Sequence, residues 1–265
     1  MSQEGIAAGQ GPATNEPILR VEGLSKSFGG VKAVSDVSFS LMENQVLGVI
    51  GPNGAGKTTL INLLTGFVRP DQGELRFRGR DVAGWPPYKV ANLGIARTFQ
   101  MVKPFYQLPA FKNLVVPLSS PRVKELAGGR YGDRDAVAKD LLEEVGFERD
   151  SWVIFKQASV LPHGYLKRLE LARCIALSPD LLVLDELFSG LSLAEVASLV
   201  PVIDKLKVQG KTIIMVEHRL RELFRIADRV LVMNFGHKIA EGSPKEVMEQ
   251  PAVREAYLGS EEEGA

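Results

Sequence analysis

The sequence of 265 residues holds a single cysteine, Cys174, so no disulfide can close within the chain and a reducing compartment suits it. Cys174 stands in the helix-like apolar segment Leu171-Ala172-Arg173-Cys174-Ile175-Ala176-Leu177 and reads as a small buried hydrophobe rather than a reactive thiol. Long apolar runs are missing as well: nothing approaches the ~20 residues needed to cross a bilayer. The longest, such as Leu181-Leu182-Val183-Leu184, is strand-sized. Nor is there an excess of charge of one sign, since 32 Lys and Arg face 32 Asp and Glu. That argues against nucleic acid as the main partner, because such proteins use a basic excess to release counterions from phosphates. The stretch Met1 to Pro17 has neither a basic region nor an apolar core, so it is no signal peptide and reads as a flexible tail. The expectation is a cytoplasmic chain whose membrane role, if any, comes through a partner. No internal repeat is visible.

What is present is an ordinary globular balance, 45% hydrophobic and 24% charged, at a length that suits one large α/β domain with an inserted subdomain. Ile18-Leu19-Arg20-Val21-Glu22-Gly23-Leu24 and Val37-Ser38-Phe39-Ser40-Leu41 read as strands. Residues 45–50 are mostly apolar and run into a glycine-rich turn, after which residues 59–65 have helical spacing. Glu74-Leu75-Arg76-Phe77-Arg78-Gly79 alternates like a strand. Residues 101–165 have another texture, punctuated by Pro104, Pro109, Pro117 and Pro121, and are read as a mainly helical insert. Within it Asp133 to Val145 forms a helix stopped by Gly146. Residues 181–184 and 212–216 read as buried parallel strands, and residues 231–240 as a hairpin turning near Asn234–Gly236. Pro244 to Leu258 reads as helix, and residues 260–265 as a short acidic tail.

Gly51-Pro52-Asn53-Gly54-Ala55-Gly56-Lys57-Thr58 fits G-x-x-x-x-G-K-[ST] between a strand and a helix, the context that a phosphate-binding loop requires. Its glycines let the backbone wrap a triphosphate with amide hydrogens inward. Lys57 would reach the β- and γ-phosphates and the Thr58 hydroxyl would ligate Mg²⁺; Thr59 follows in the same turn. The apolar run ending in Asp185-Glu186 delivers carboxylates at a strand's C-terminal end. Asp185 suits the Mg²⁺ shell, and Glu186 suits orienting or deprotonating an attacking water. The cofactors expected are ATP and Mg²⁺.

Leu161-Pro162-His163-Gly164-Tyr165, followed by Leu166-Lys167-Arg168, resembles the signature segment of ABC ATPases. The family's other marks stand in order. Gln100 looks like the Q-loop glutamine, Ser189-Gly190-Leu191-Ser192 falls where the D-loop belongs, and His218 looks like the switch histidine. Phe28 matches the aromatic that stacks on adenine, although a core position suits it equally. Within the family the chain is most similar to the ATPases of branched-chain amino acid importers, through Phe28-Gly29-Gly30-Val31-Lys32-Ala33-Val34, Gly94-Ile95-Ala96-Arg97-Thr98-Phe99-Gln100 and Ala256-Tyr257-Leu258-Gly259.

The resemblance implies a RecA-like core, an N-terminal antiparallel β-subdomain and an inserted α-helical subdomain, all in one domain over residues 18–259. It implies two subunits, identical or not, set head to tail, each ATP lying between one P-loop and the other subunit's signature. His218 would contact the γ-phosphate, and Gln100 would sense Mg²⁺ and the water. Residues 100–118 would pass closure to membrane permease subunits, with an extracytoplasmic substrate-binding protein completing the system and the chain peripheral on the inner face of the membrane. His163, His237, Lys167 and Arg168 are read as surface positions, the last two as a solvated helix face.

The sequence departs from the family at four positions: Pro162 for a serine, Tyr165 for a glutamine, Leu187 for a proline, and Ser192 for an asparagine or aspartate. These motivate a second reading, a catalytically impaired ATP-binding scaffold. A third keeps the motor and changes the cargo to urea or amides, aromatic acids or exported lipopolysaccharide. A non-transport ABC protein acting on DNA or ribosomes would show tandem nucleotide domains, a long coiled coil or a basic excess.

Overall fold

The computed structural model describes residues 16–129, 132–148 and 151–262. Strands β1 (Leu19–Phe28) and β2 (Val31–Leu41) form an antiparallel hairpin. Next come β3 (Val46–Ile50), α1 (Lys57–Leu64), β4 (Gln72–Phe77), β5 (Arg80–Asp81), α2 (Pro87–Leu93) and β6 (Ile95–Arg97). The proline-punctuated stretch then folds into 3₁₀ turns and short helices: α3 (Val115–Leu118), α4 (Pro121–Leu126), α5 (Arg134–Glu144) and the longer α6 (His163–Ile175). Beyond it run β7 (Leu181–Asp185), α7 (Leu193–Val208), β8 (Thr212–Val216), α8 (Leu220–Ile226), β9 (Arg229–Asn234), β10 (His237–Gly242), α9 (Pro244–Glu249) and α10 (Pro251–Glu262).

The strands form two sheets. One is antiparallel with order β2-β1-β4-β5; the other has order β10-β9-β3-β8-β7-β6 and is parallel except for its β9–β10 edge. Every residue of β3, β7 and β8 is buried, which is why these strands read as continuous apolar runs without alternation. One core fills the space between the two sheets around α1, and a second lies on the opposite face under α5, α6, α7 and α8. Because β3, β8 and β7 are neighbours running the same way, the loops that follow them meet at one edge of the sheet. Ligands of open α/β sheets bind at such an edge.

Several local details follow from single residues. Asp133 caps α5 by accepting from the amides of Asp135 and Ala136. Ser192 caps α7 in a reciprocal box with Glu195. The helix expected over residues 244–258 is two helices, because Gln250 precedes Pro251 and takes an extended conformation with ψ 129°. The second continues to Glu262, where a tail was expected from residue 260; residues 1–15 and 263–265 of the two expected tails lie outside the described residues.

At the opposite end of β7 from the loops, Asp180 pairs with Arg122 at 3.1 Å and with Arg78 at 3.3 Å. Arg122 also donates to the carbonyls of Ser178 and Leu93, which joins α4 to the ends of α2 and α6. No helix among the described residues is long and apolar enough to cross a membrane.

Candidate ATPase site

The loop after β3 is built on backbone that excludes side chains. Gly51 has φ 149°, and a Cβ there would lie 2.1 Å from the Met233 carbonyl oxygen. Gly56, at φ 99°, precedes α1 and would meet the Ala33 carbonyl oxygen at 2.2 Å. The first turn of α1 has neither a side-chain cap nor an acidic residue, so its amide groups present positive charge to the loop. Lys57 is buried and donates to the carbonyls of Gly51 at 2.6 Å and Pro52 at 2.9 Å. Burial lowers its pKa, opposed by the charges of Glu186 and Asp185.

Residues 53–59 line a cavity of about 350 Å³ together with residues 31–33, Glu186, His218 and Phe235. Thr58 is exposed in the first turn of α1. Phe28 is not in the lining; it ends β1 half exposed, with the Lys26 ammonium 5.5 Å from its ring. The aromatic that does line the cavity is Phe235, at the β9–β10 turn and 83% exposed. Sequence reading passed over it as a turn residue.

Asp185 ends β7 and is buried. Its amide donates to the Thr98 hydroxyl at 3.0 Å, and Arg97 Nη2 donates to its Oδ2 at 2.8 Å. Arg97 is held in turn by Asn62 of α1, by Thr65 just beyond that helix and by the rings of Phe67 and Phe99, 5.3 and 4.9 Å from its guanidinium carbon. Desolvation raises the Asp185 pKa against the attraction of Arg97.

Glu186 follows at φ 49°, left-handed backbone that a non-glycine residue adopts at a cost of about 1–3 kcal/mol. Its carboxylate is held from two sides. Gln100 Nε2 donates to Oε2 at 2.8 Å, and His218 Nε2 lies 3.1 Å from Oε1. Three segments far apart in sequence thus converge on one carboxylate at the rim of the phosphate loop.

The family pattern described as "ABC transporter" matches residues 34–189, more than half of the chain. The chain belongs to the ABC transporter ATP-binding family. It is a nucleotide-binding ATPase cassette of that family, and a further pattern, "Branched-chain amino acid ATP-binding cassette transporter", matches residues 237–263. The cassette is 38% identical over 255 residues to the high-affinity branched-chain amino acid transport ATP-binding protein BraF of Pseudomonas aeruginosa, covering 92% of this chain and 99% of that one. It is 36% identical over 255 residues to LivG, which carries the same description in Escherichia coli, covering 92% and 99%. Among solved structures, a nucleotide-free ATP-binding cassette from an ABC transporter superposes with a TM-score of 0.79 at 31% identity, covering 91% of this chain and 99% of that one. Another, an ABC cassette in its ADP conformation, gives 0.78 at 32% identity, covering 92% and 100%.

The remaining marks of the cassette lie outside the cavity lining. Leu161 is buried, Pro162 stands at the N-cap of α6, and His163 Nε2 lies 3.3 Å from the Ser189 carbonyl oxygen. Gly164 is buried against Glu195, so that a Cβ would come within 2.3 Å of Glu195 Oε1. Tyr165 turns inward and meets Phe147 edge to face, with ring centroids 5.0 Å apart. Leu187 simply buries its side chain, Ser189 and Gly190 are exposed, and Leu191 is buried.

The expected solvated face of α6 is a correction. Lys167 is 1% exposed and donates to the carbonyls of Gln100 and Glu186, each at 3.0 Å. Arg168 donates to the Val145 carbonyl and to the Ser198 hydroxyl, fastening α6 to the end of α5 and to α7. Both cations turn inward because backbone carbonyls from other segments await them. Glu217, beside His218, is a further buried residue that sequence reading left unassigned. It accepts from the Phe188 amide at 2.9 Å, and burial pushes its pKa up to about 8.

Proposed function

We propose that this cassette energises uptake of branched-chain or other hydrophobic amino acids through separate membrane permease subunits. The carrying observation is Glu186, whose carboxylate is gripped by Gln100 and His218 at the mouth of the phosphate loop. The cargo class is supported by the relatives' descriptions and by the pattern matched at residues 237–263.

In this reading the triphosphate lies in the backbone cradle of residues 51–56, its negative charge facing the amides of α1 and the Lys57 ammonium. Water attacks the γ-phosphorus in line as the bond to the β–γ bridging oxygen breaks. Glu186 orients that water and takes its proton, and His218 holds Glu186 and faces the γ-phosphate. Magnesium fits the hard oxygen donors available, Thr58 and Asp185, with Gln100 near by. It needs only one or two protein ligands beside phosphate oxygens. When bound it neutralises charge on the phosphates.

The site is half of a pair in this reading. The N-terminal end of α6, with residues 161–165, would close over the ATP of a second subunit, so binding joins the dimer and hydrolysis releases it. Residues 101–165, as a helical subdomain, carry closure to the permease on the inner face of the membrane. An external substrate-binding protein supplies the cargo.

The deciding experiment reconstitutes the chain with its permease in liposomes and follows ATP hydrolysis and uptake of labelled leucine. Leucine uptake that requires ATP is expected. Turnover coupled instead to urea, an aromatic acid or a lipid would replace the cargo, and no turnover at all would leave only the scaffold reading.

A further inference from the structure

An ammonium removed from water has to use its donors on protein acceptors. Lys167, on α6 about one turn beyond Gly164, uses two of its three, on the carbonyl oxygens of Gln100 and Glu186. Burial lowers its pKa, and the charges of Glu217, Glu186, Glu170 and Asp185 oppose that shift.

The acceptors matter more than the burial. Glu186 sits in left-handed backbone, and such a residue stays there only when its surroundings over-determine it. Its amide donates to the Val216 carbonyl at 2.9 Å, its carboxylate is held by Gln100 and His218, and its carbonyl is held by Lys167. Without the ammonium, the peptide linking Glu186 to Leu187 can rotate toward ordinary φ and carry the carboxylate off its two partners. The Gln100 carbonyl sits on the same ammonium, so the side chain that meets Glu186 is fixed by the same atom.

We propose that Lys167 is a positioning residue that ties the signature helix of a subunit to Glu186 and Gln100 of that subunit's own ATP site. It touches no substrate and acts through two backbone carbonyls. Resting as it does on the head-to-tail dimer proposed above, this bond links the two sites of a dimer. A shift of α6 as it closes over the neighbour's ATP moves Lys167, and with it the carboxylate that orients water at home.

The test compares full-length wild type with Lys167→Met, Lys167→Gln and Lys167→Arg. Methionine keeps the stem without donors, glutamine keeps a neutral donor, and arginine restores charge and donors. Initial rates across a range of Mg-ATP give kcat and cooperativity, and a fluorescent ATP analogue gives nucleotide affinity. Lys167→Met is expected to lower kcat about tenfold, the rate equivalent of one charge-assisted hydrogen bond, with affinity within about twofold and cooperativity in ATP lost. Arginine recovers most of the rate, and glutamine falls between. Wild-type kcat and cooperativity in Lys167→Met overturn the proposal; if that variant does not fold, the same result in Lys167→Gln overturns it. Loss of nucleotide affinity in step with rate also overturns it, because that pattern belongs to a residue that only holds the fold. Absence of wild-type turnover would overturn the hydrolytic reading beneath it, a result distinct from turnover that ignores Lys167.

Discussion

At the scale of single residues, the site is governed by how few atoms hold Glu186 and Asp185. Glu186→Gln keeps the side-chain shape and removes the proton acceptor. Hydrolysis is expected to fall about a thousandfold with Mg-ATP binding retained, read by phosphate release beside equilibrium binding. Retained turnover would remove Glu186 from the reaction. Asp185 depends on Arg97, whose guanidinium lies against two rings and is bonded to α1. Arg97→Lys keeps the charge and loses the planar fork. The Mg²⁺ concentration for half-maximal rate is expected to rise about tenfold, one lost bond between charged groups; an unchanged magnesium titration would count against the role given to Arg97.

At the scale of elements, the parts that could be read in advance were those written in neighbouring residues. The glycine loop is a local pattern because its glycines answer a local need for positive φ, at 149°, 78° and 99° for Gly51, Gly54 and Gly56. Asp185-Glu186 was legible because β7 is buried on both faces and so reads as an unbroken apolar run. Lys167 was not, since its acceptors lie 67 and 19 residues away and a lysine on an amphipathic helix looks solvated until the neighbouring segment is known. Phe235 escaped for the same reason: only the β9–β10 turn brings it to the cavity. Ser192 looked like a weakened D-loop position, and the structure gives it a second job at the start of α7. Ser192→Ala is expected to cost about 1 kcal/mol of stability and to lower the melting temperature by about 3 °C. A calorimetric scan checks this; an unshifted transition would mean that Glu195 holds the cap unaided.

At the scale of the whole molecule, stability depends on protons held in the buried centre. Glu217, with a folded pKa of about 8 against an ordinary 4.5, binds its proton more tightly folded than unfolded. Its contribution is therefore full at low pH and is lost as pH rises from 4.5 to 8. Asp185 and Glu170, raised by burial as well, act in the same direction. Urea titrations are expected to show stability declining from pH 5 toward pH 8, and Glu217→Gln should flatten that decline while keeping an acceptor for the Phe188 amide. A decline of equal slope in the variant would place the protons elsewhere.

The corner at Asp180 gives the molecule a mechanical property. Arg122 fixes α4 to both Asp180 and the Ser178 carbonyl, while Lys167 grips the other end of β7 through Glu186. The two anchors are separated by the length of a five-residue strand, about 16 Å. A body pinned at one corner can only swing, and its displacement grows with distance from the pin. Thermal jostling near Arg122 thus hardly moves the water-orienting carboxylate, whereas a push at the far edge reaches it with less travel and more force, as at the short arm of a lever.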